Sequence, residues 1–279
     1  MDYKKFYEKT EEYFRNVAKN EHGLTDQQIE EYMTPTLTLK DETGNRDMSF
    51  LFRRLSYHLQ NQSITRNVIK FDANYGKLKN LICGFDVAAF LNKYASEDEF
   101  YEEFIKVFPQ SSNTVNISQS KRCIYSKGVY SAAKMLKRFN SYDDFIDKLK
   151  KYDDFAPEYL SLNVIGFGSA LPCDFLKELD SDFDVCKPDV HVKTCIKELT
   201  KIPDSIKGAR FDYDVRVKVH EIAEEASKKS NDPSMTTFKL DKMIFLICSN
   251  VFYKTEDKNN TSPMYRENYI KYMKEELHI

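Results

Sequence analysis

Apolar residues recur every three or four positions along most of this chain, the period of a helix with one buried face. Phe100, Phe104 and Phe108 lie one turn apart between Ser96 and Pro109. With Glu99 three residues after Ser96, the spacing predicts a helix opened by a capping box and stopped by the proline. Ser141 opens a second predicted helix, in which Phe145, Leu149 and Tyr152 share a face. Further helical stripes run through Val129, Ala132, Leu136 and Phe139, through Val215, Val219 and Ile222, and through Leu240, Ile244, Ile247 and Val251. Strict alternation is scarce: LTLKDE from Leu37 is the one modest strand candidate, and 211–219 reads equally well as helix. The pattern predicts a mainly α fold without internal repeats, its polar connections near 109–119, 203–211, 229–236 and 255–262.

One stretch breaks this regularity, LNVIGFGSALPCDFLKELDSDFDVCKPDVHVK from Leu162 to Lys193. A short helix through Tyr159, Leu160 and Leu162 is expected to end at Gly166-Phe167-Gly168, and Ser169 to cap a new helix carrying Leu171, Phe175, Leu176 and Leu179. Pro172 suits the first turn of that helix, where its missing N–H has no intrahelical partner to lose. Two glycines let the backbone approach another surface closely, and the N–H groups around them suit a phosphate oxygen. An interhelical turn that needs positive φ explains the same glycines. Downstream, Val192, Cys195, Ile196 and Leu199 mark a further helix, which places Asp189 at its start, directly after Pro188. Aspartate is a common N-cap, and the same position keeps a carboxylate ionised and fixed in direction. His191, in the first turn, reads as a structural hydrogen-bonding residue.

Composition narrows the function classes. With 279 residues, 41% hydrophobic and 31% charged, the chain can bury one large core or two small ones. A formal charge of −2 and a pI near 6.3 argue against coating nucleic acid by bulk electrostatics. Basic residues nevertheless cluster, as at Lys121, Arg122, Lys134, Lys137 and Arg138, while acids concentrate at 8–31 and 97–103. No apolar run has the length of a membrane span, and MDYKKFYEKTEEYFRN reads as a charged amphipathic helix, so the expectation is a cytoplasmic protein. Six scattered cysteines without a CxxC pair suggest reduced thiols, and the spacing of Cys173, Cys186, His191 and Cys195 matches no compact zinc motif.

The pattern LxVIGFGSALPCDFL followed by KPDVHVKTCI resembles the signature of the helix-hairpin-helix DNA glycosylase superfamily, to which endonuclease III and 8-oxoguanine glycosylase belong. The likeness is strong over 160–196 and weaker over 48–253. MSFLFRRLSYHLQNQSITRNVIKF resembles the family's helix that ends in a Gln- or Asn-rich turn wedged into the duplex. The resemblance implies a two-lobed helical fold, with a barrel domain at 48–180 and a second domain formed by 1–47 and 181–279. It also implies a monomer that binds double-stranded DNA, flips a base and hydrolyses its N-glycosidic bond with Asp189 as catalytic carboxylate. Gly166, Phe167, Gly168 and Ser169 would meet the DNA backbone, with Asn61, Gln62, Arg66 and Lys193 as further DNA contacts. Bifunctional members carry a Schiff-base lysine where this chain has Ala170, so a monofunctional enzyme is implied, without metal or other cofactor. An inert DNA-binding module with the same hairpin is the rival, and an all-α interaction protein a third reading.

Overall fold

The computed structural model describes residues 1–34, 46–61, 65–109, 120–180, 182–252 and 263–279. Among them the regular structure is helical, with fifteen α-helices, two short 3-10 turns and no strand. The candidate strand LTLKDE lies outside the described residues. The ambiguous segment 211–219 is helix, inside the longest one. None of the described helices is long and apolar enough to cross a membrane.

The chain divides into two compact units, one made of Met1–Leu37 and Lys177–Ile279, the other of Thr38–Leu176. The first contains α1 (Tyr3–Asn20), α2 (Asp26–Met33), α12 (Val190–Thr200), α13 (Gly208–Ser230), α14 (Thr237–Ser249) and α15 (Pro263–Leu277). Helix α14 is its axis and packs against α1, α2, α12, α13 and α15. Its stripe of Leu240, Ile244 and Ile247 is fully buried with Phe6, Phe14, Ile196, Val219 and Tyr269. Val251, assigned to that stripe from its spacing, lies beyond the helix end, where Asn250 adopts a left-handed conformation.

The second unit holds α3 (Met48–Leu59), α4 (Thr65–Ile69), α5 (Tyr75–Leu81), α6 (Val87–Lys93), α7 (Glu97–Val107), α8 (Lys121–Leu136), α9 (Tyr142–Tyr152) and α10 (Ala156–Asn163). The cut between the units falls within α11 (Leu171–Leu179). Helix α8 is central here, against α3, α4, α6, α7 and α10. This core is aromatic: Phe90 meets Phe52 at 5.3 Å and Phe100 at 4.8 Å, both edge to face, the arrangement that ring quadrupoles favour.

Several helix starts, among them those of α1, α2, α3, α7, α9 and α12, are side-chain caps. Ser96 accepts from the Glu99 N–H at 3.1 Å, as the sequence predicts, but the Glu99 carboxylate reaches back to the N–H of Ala95 at 2.7 Å, one residue before the cap. Ser141 caps α9 through the Asp144 N–H at 3.1 Å. The complete capping box belongs to α2, between Thr25 and Gln28.

Candidate functional site

Two segments carry the residues singled out above, one in each unit. In the second unit α10 ends at Asn163, and the chain turns through Gly166 at φ 80° and Gly168 at φ 39° into α11. Both angles lie in the left-handed region, where a Cβ is strained. The Phe167 N–H closes the turn on the Val164 carbonyl at 3.1 Å. Helix α8 then fixes the turn in place. Ser131 Oγ accepts from the Ile165 N–H at 2.9 Å, and a Cβ added to Gly128 would stand 2.6 Å from the Ile165 carbonyl and 2.7 Å from Leu59 Cδ2. Gly128 therefore lets the hairpin and the end of α3 converge on one helix. The Ser161 hydroxyl ties the far side of the turn, donating to the Gly168 carbonyl at 2.5 Å.

This geometry revises one expected hairpin contact, the Phe167 side chain, and one expected helix cap, Ser169. Phe167 is fully buried, edge to face with Phe175 at 5.9 Å, so its ring serves the core and only its backbone lies in the turn. Helix α11 begins at Leu171, which puts Ala170 rather than Ser169 at its cap, the Ala170 carbonyl accepting from the Asp174 N–H at 3.4 Å. A Cβ at Gly168 would meet nothing within 4 Å, so this glycine answers to its φ and leaves open space beside it.

In the first unit Asp189 caps α12. One oxygen, Oδ1, accepts from the N–H of His191 at 2.8 Å and of Val192 at 2.9 Å. Oδ2 accepts no hydrogen bond among the described residues. The carboxylate is thus clamped by one oxygen and available through the other, in the field of a helix N-terminus. Burial is the main influence on its pKa and raises it above 3.8, the Val192 N–H opposes this, and the negative charge of Asp241 adds to it. His191 leaves a buried Nδ1 without a partner and sets its ring edge to face with Phe245 at 6.0 Å.

The approach to Asp189 is held by residues distant in sequence. Asp241, buried on α14, accepts from Lys177 Nζ at 2.7 Å and from the Lys187 backbone N–H at 3.1 Å. Asp184 accepts from the N–H groups of Thr237 and Phe238, both at 2.8 Å, and so covers the start of α14. Pro188 is buried between these anchors and the cap. Sequence reasoning missed Asp241, Lys177, Asp184 and Gly128. The signal for Asp241 was an acid beside Leu240 on an otherwise apolar stripe; the other three carry none in their local sequence.

Neither a family model, nor a curated protein, nor a solved structure matches this chain. Of the other expected DNA contacts, Lys193 donates to Asp212 at 2.9 Å in an ion pair. Arg66 is exposed on α4. Asn61 follows α3, its N–H bonded to the His58 carbonyl at 2.9 Å and its Oδ1 buried without a partner among the described residues. Gln62 lies outside the described residues. Within the second unit, then, the Asn61 turn and the hairpin attach to the same helix, α8, through Leu59 and Ile165. Chemically, the hairpin offers backbone N–H groups beside open space, and the α12 start offers a fixed, half-buried carboxylate.

Proposed function

We propose that this chain is a monofunctional DNA glycosylase of the helix-hairpin-helix type, a monomer acting on double-stranded DNA. The observation that carries the reading is Asp189, whose Oδ1 is locked by two backbone N–H groups while Oδ2 accepts no hydrogen bond among the described residues. As an N-glycosidic bond stretches, positive charge develops on the sugar, and a carboxylate already fixed in direction stabilises it without reorganising. Partial exclusion from water strengthens that interaction, and Oδ2 can orient or deprotonate the attacking water. The glycines at 166 and 168 would let the hairpin backbone meet a phosphate.

The absence of a lyase step in this reading has support from two lysines as well as from Ala170. The amines of Lys177 and Lys193 are engaged by Asp241 and Asp212 at 2.7 and 2.9 Å, which leaves neither poised as a Schiff-base nucleophile.

The test is base release under single-turnover conditions from duplexes carrying oxidised, alkylated or mispaired bases, for wild type and Asp189→Asn, scored as strand breakage with and without hot alkali. Alkali-dependent breaks in the wild type, lost in the variant, are the expected result. Breaks without alkali would replace the monofunctional reading with a lyase. Binding without breaks on any duplex would leave an inert DNA-binding module.

A further inference from the structure

A second feature of the 38–176 unit lies beside the hairpin and is not explained by base release from DNA. The α7 start, one face of α8 and the end of α10 enclose a groove of about 480 Å³, lined among others by Glu97, Tyr130, Lys134, Arg138, Leu162 and Ile165. Leu162 is 78% exposed and Ile165 44%. Isolated exposed aliphatics are ordinary, but these two share one groove with two cations. Leu162 also continues a stripe with Phe155 and Tyr159, spaced four and three residues apart on the α10 side. Phe155 is 45% exposed, and Tyr159 is half-buried and stacked on Tyr152 at 4.7 Å.

The charges in the groove are unbalanced. Glu97 is held by Lys127 at 3.0 Å. Among the described residues neither Lys134 nor Arg138 pairs with a carboxylate; Arg138 donates to the Asn163 side chain at 2.8 Å. An occupant should therefore bring negative charge to α8 and apolar side chains to Leu162 and Ile165. Nucleic acid fits this less well. Aliphatic tips give a phosphate nothing, and stacking a base needs a free ring, whereas Tyr130 is buried with its hydroxyl donating to the Ala95 carbonyl at 2.9 Å.

We propose that this groove docks an acidic amphipathic helix of a partner protein, with apolar anchors between Leu162 and Ile165 and carboxylates on Lys134 and Arg138. The proposal does not depend on glycosylase activity.

A phage-displayed library of random 16-residue peptides, selected on the full chain and depleted on an Arg138→Glu/Leu162→Asp variant, tests it. All the altered side chains are exposed, so both proteins should show the same melting curve. Enriched sequences should be net acidic, with apolar residues three or four apart, and a synthetic peptide from the set should lose about 10-fold in affinity with Leu162→Ala and again with Lys134→Glu. No enrichment over the variant, or enrichment of neutral or basic sequences, would overturn the proposal. So would an unlabelled 16-nucleotide thymidine strand that displaced the peptide and itself bound 10-fold less tightly to Leu162→Ala, because the groove would then belong to nucleic acid.

Discussion

The hairpin at 166–168 and the turn at 187–189 both feed the chain into a helix N-terminus, yet they are built by opposite means. The hairpin is fixed by shape. Gly128 removes a side chain so that the Ile165 carbonyl can lie against α8, Phe167 plugs the core, and two glycines adopt φ values that strain other residues. The Asp189 turn is fixed by charge, through Lys177 and Asp184 of the segment before it and their partners on distant α14, Asp241 and the helix start. A shape-fixed element tolerates polar changes and resists added volume. A charge-fixed one should tolerate isosteres and fail when a partner charge is stranded.

The largest effect should follow from removing the acid on which these contacts converge. Asp241→Ala removes the carboxylate that both the Lys177 amine, 16% exposed, and the Lys187 N–H reach. It should cost about 3 kcal/mol in urea unfolding. A loss below about 1 kcal/mol would mean that the turn is held by packing on Pro188 after all, and the contrast with the hairpin would collapse.

Asp189→Asn probes the same turn without stranding a charge. Asparagine caps helices about as well as aspartate, so stability near neutral pH should hardly change. If Asp189 stabilises a developing cation, base release should nevertheless fall about 100-fold or more. Its pH dependence has a defined sign. Burial raises the Asp189 pKa in the fold, so the wild-type rate should rise with pH through a midpoint above 3.8, as the carboxylate ionises. Stability runs the other way: the neutral acid's contribution is full below 3.8 and is lost as pH rises through the folded-state value, and this step should vanish in Asp189→Asn.

The same contrast explains what could be read from the chain alone. Helices, most stripe positions and the caps at Ser96, Ser141 and Asp189 depend on neighbours within a turn or two, and sequence spacing reports them directly. The hairpin glycines were legible for that reason. Phe167 entered the expected DNA contacts only with the hairpin that the resemblance implies; its ring is buried against Phe175, a partner that only the fold shows. Gly128, by contrast, sits in a regular helix 37 residues before Ile165, and no local pattern announces that two other segments close on it. Asp184 caps a helix that begins 53 residues later. Charge-fixed elements are assembled from long sequence separations, so they are the part of a candidate site that sequence reading loses first.

Shape sensitivity gives the next prediction. Gly128→Ala puts a methyl 2.6 Å from the Ile165 carbonyl and 2.7 Å from Leu59, too close for either to remain. It should cost about 2 kcal/mol, measured by thermal unfolding. Ser131→Ala, which removes the acceptor for the Ile165 N–H and the hydroxyl's own bond to the Gly128 carbonyl at 2.9 Å, should cost about 1 kcal/mol at most, because the exposed Ile165 amide can turn to water instead.

The smallest change separates conformation from contact. Gly168→Ala places a methyl in open space, so its stability cost is that of a left-handed alanine alone, about 1 kcal/mol. Gly23 offers a matched control: φ is 62°, a Cβ there also meets nothing within 4 Å, and it lies in the loop between α1 and α2. The two alanine variants should therefore melt alike. They should differ on DNA. If a phosphate approaches the hairpin backbone, a methyl at 168 occupies the space it needs, and duplex affinity at low salt should fall several-fold for Gly168→Ala and not for Gly23→Ala. Equal affinities would show that the open space beside Gly168 is not where nucleic acid docks, and would reduce the two glycines to the conformational demands of a turn between α10 and α11.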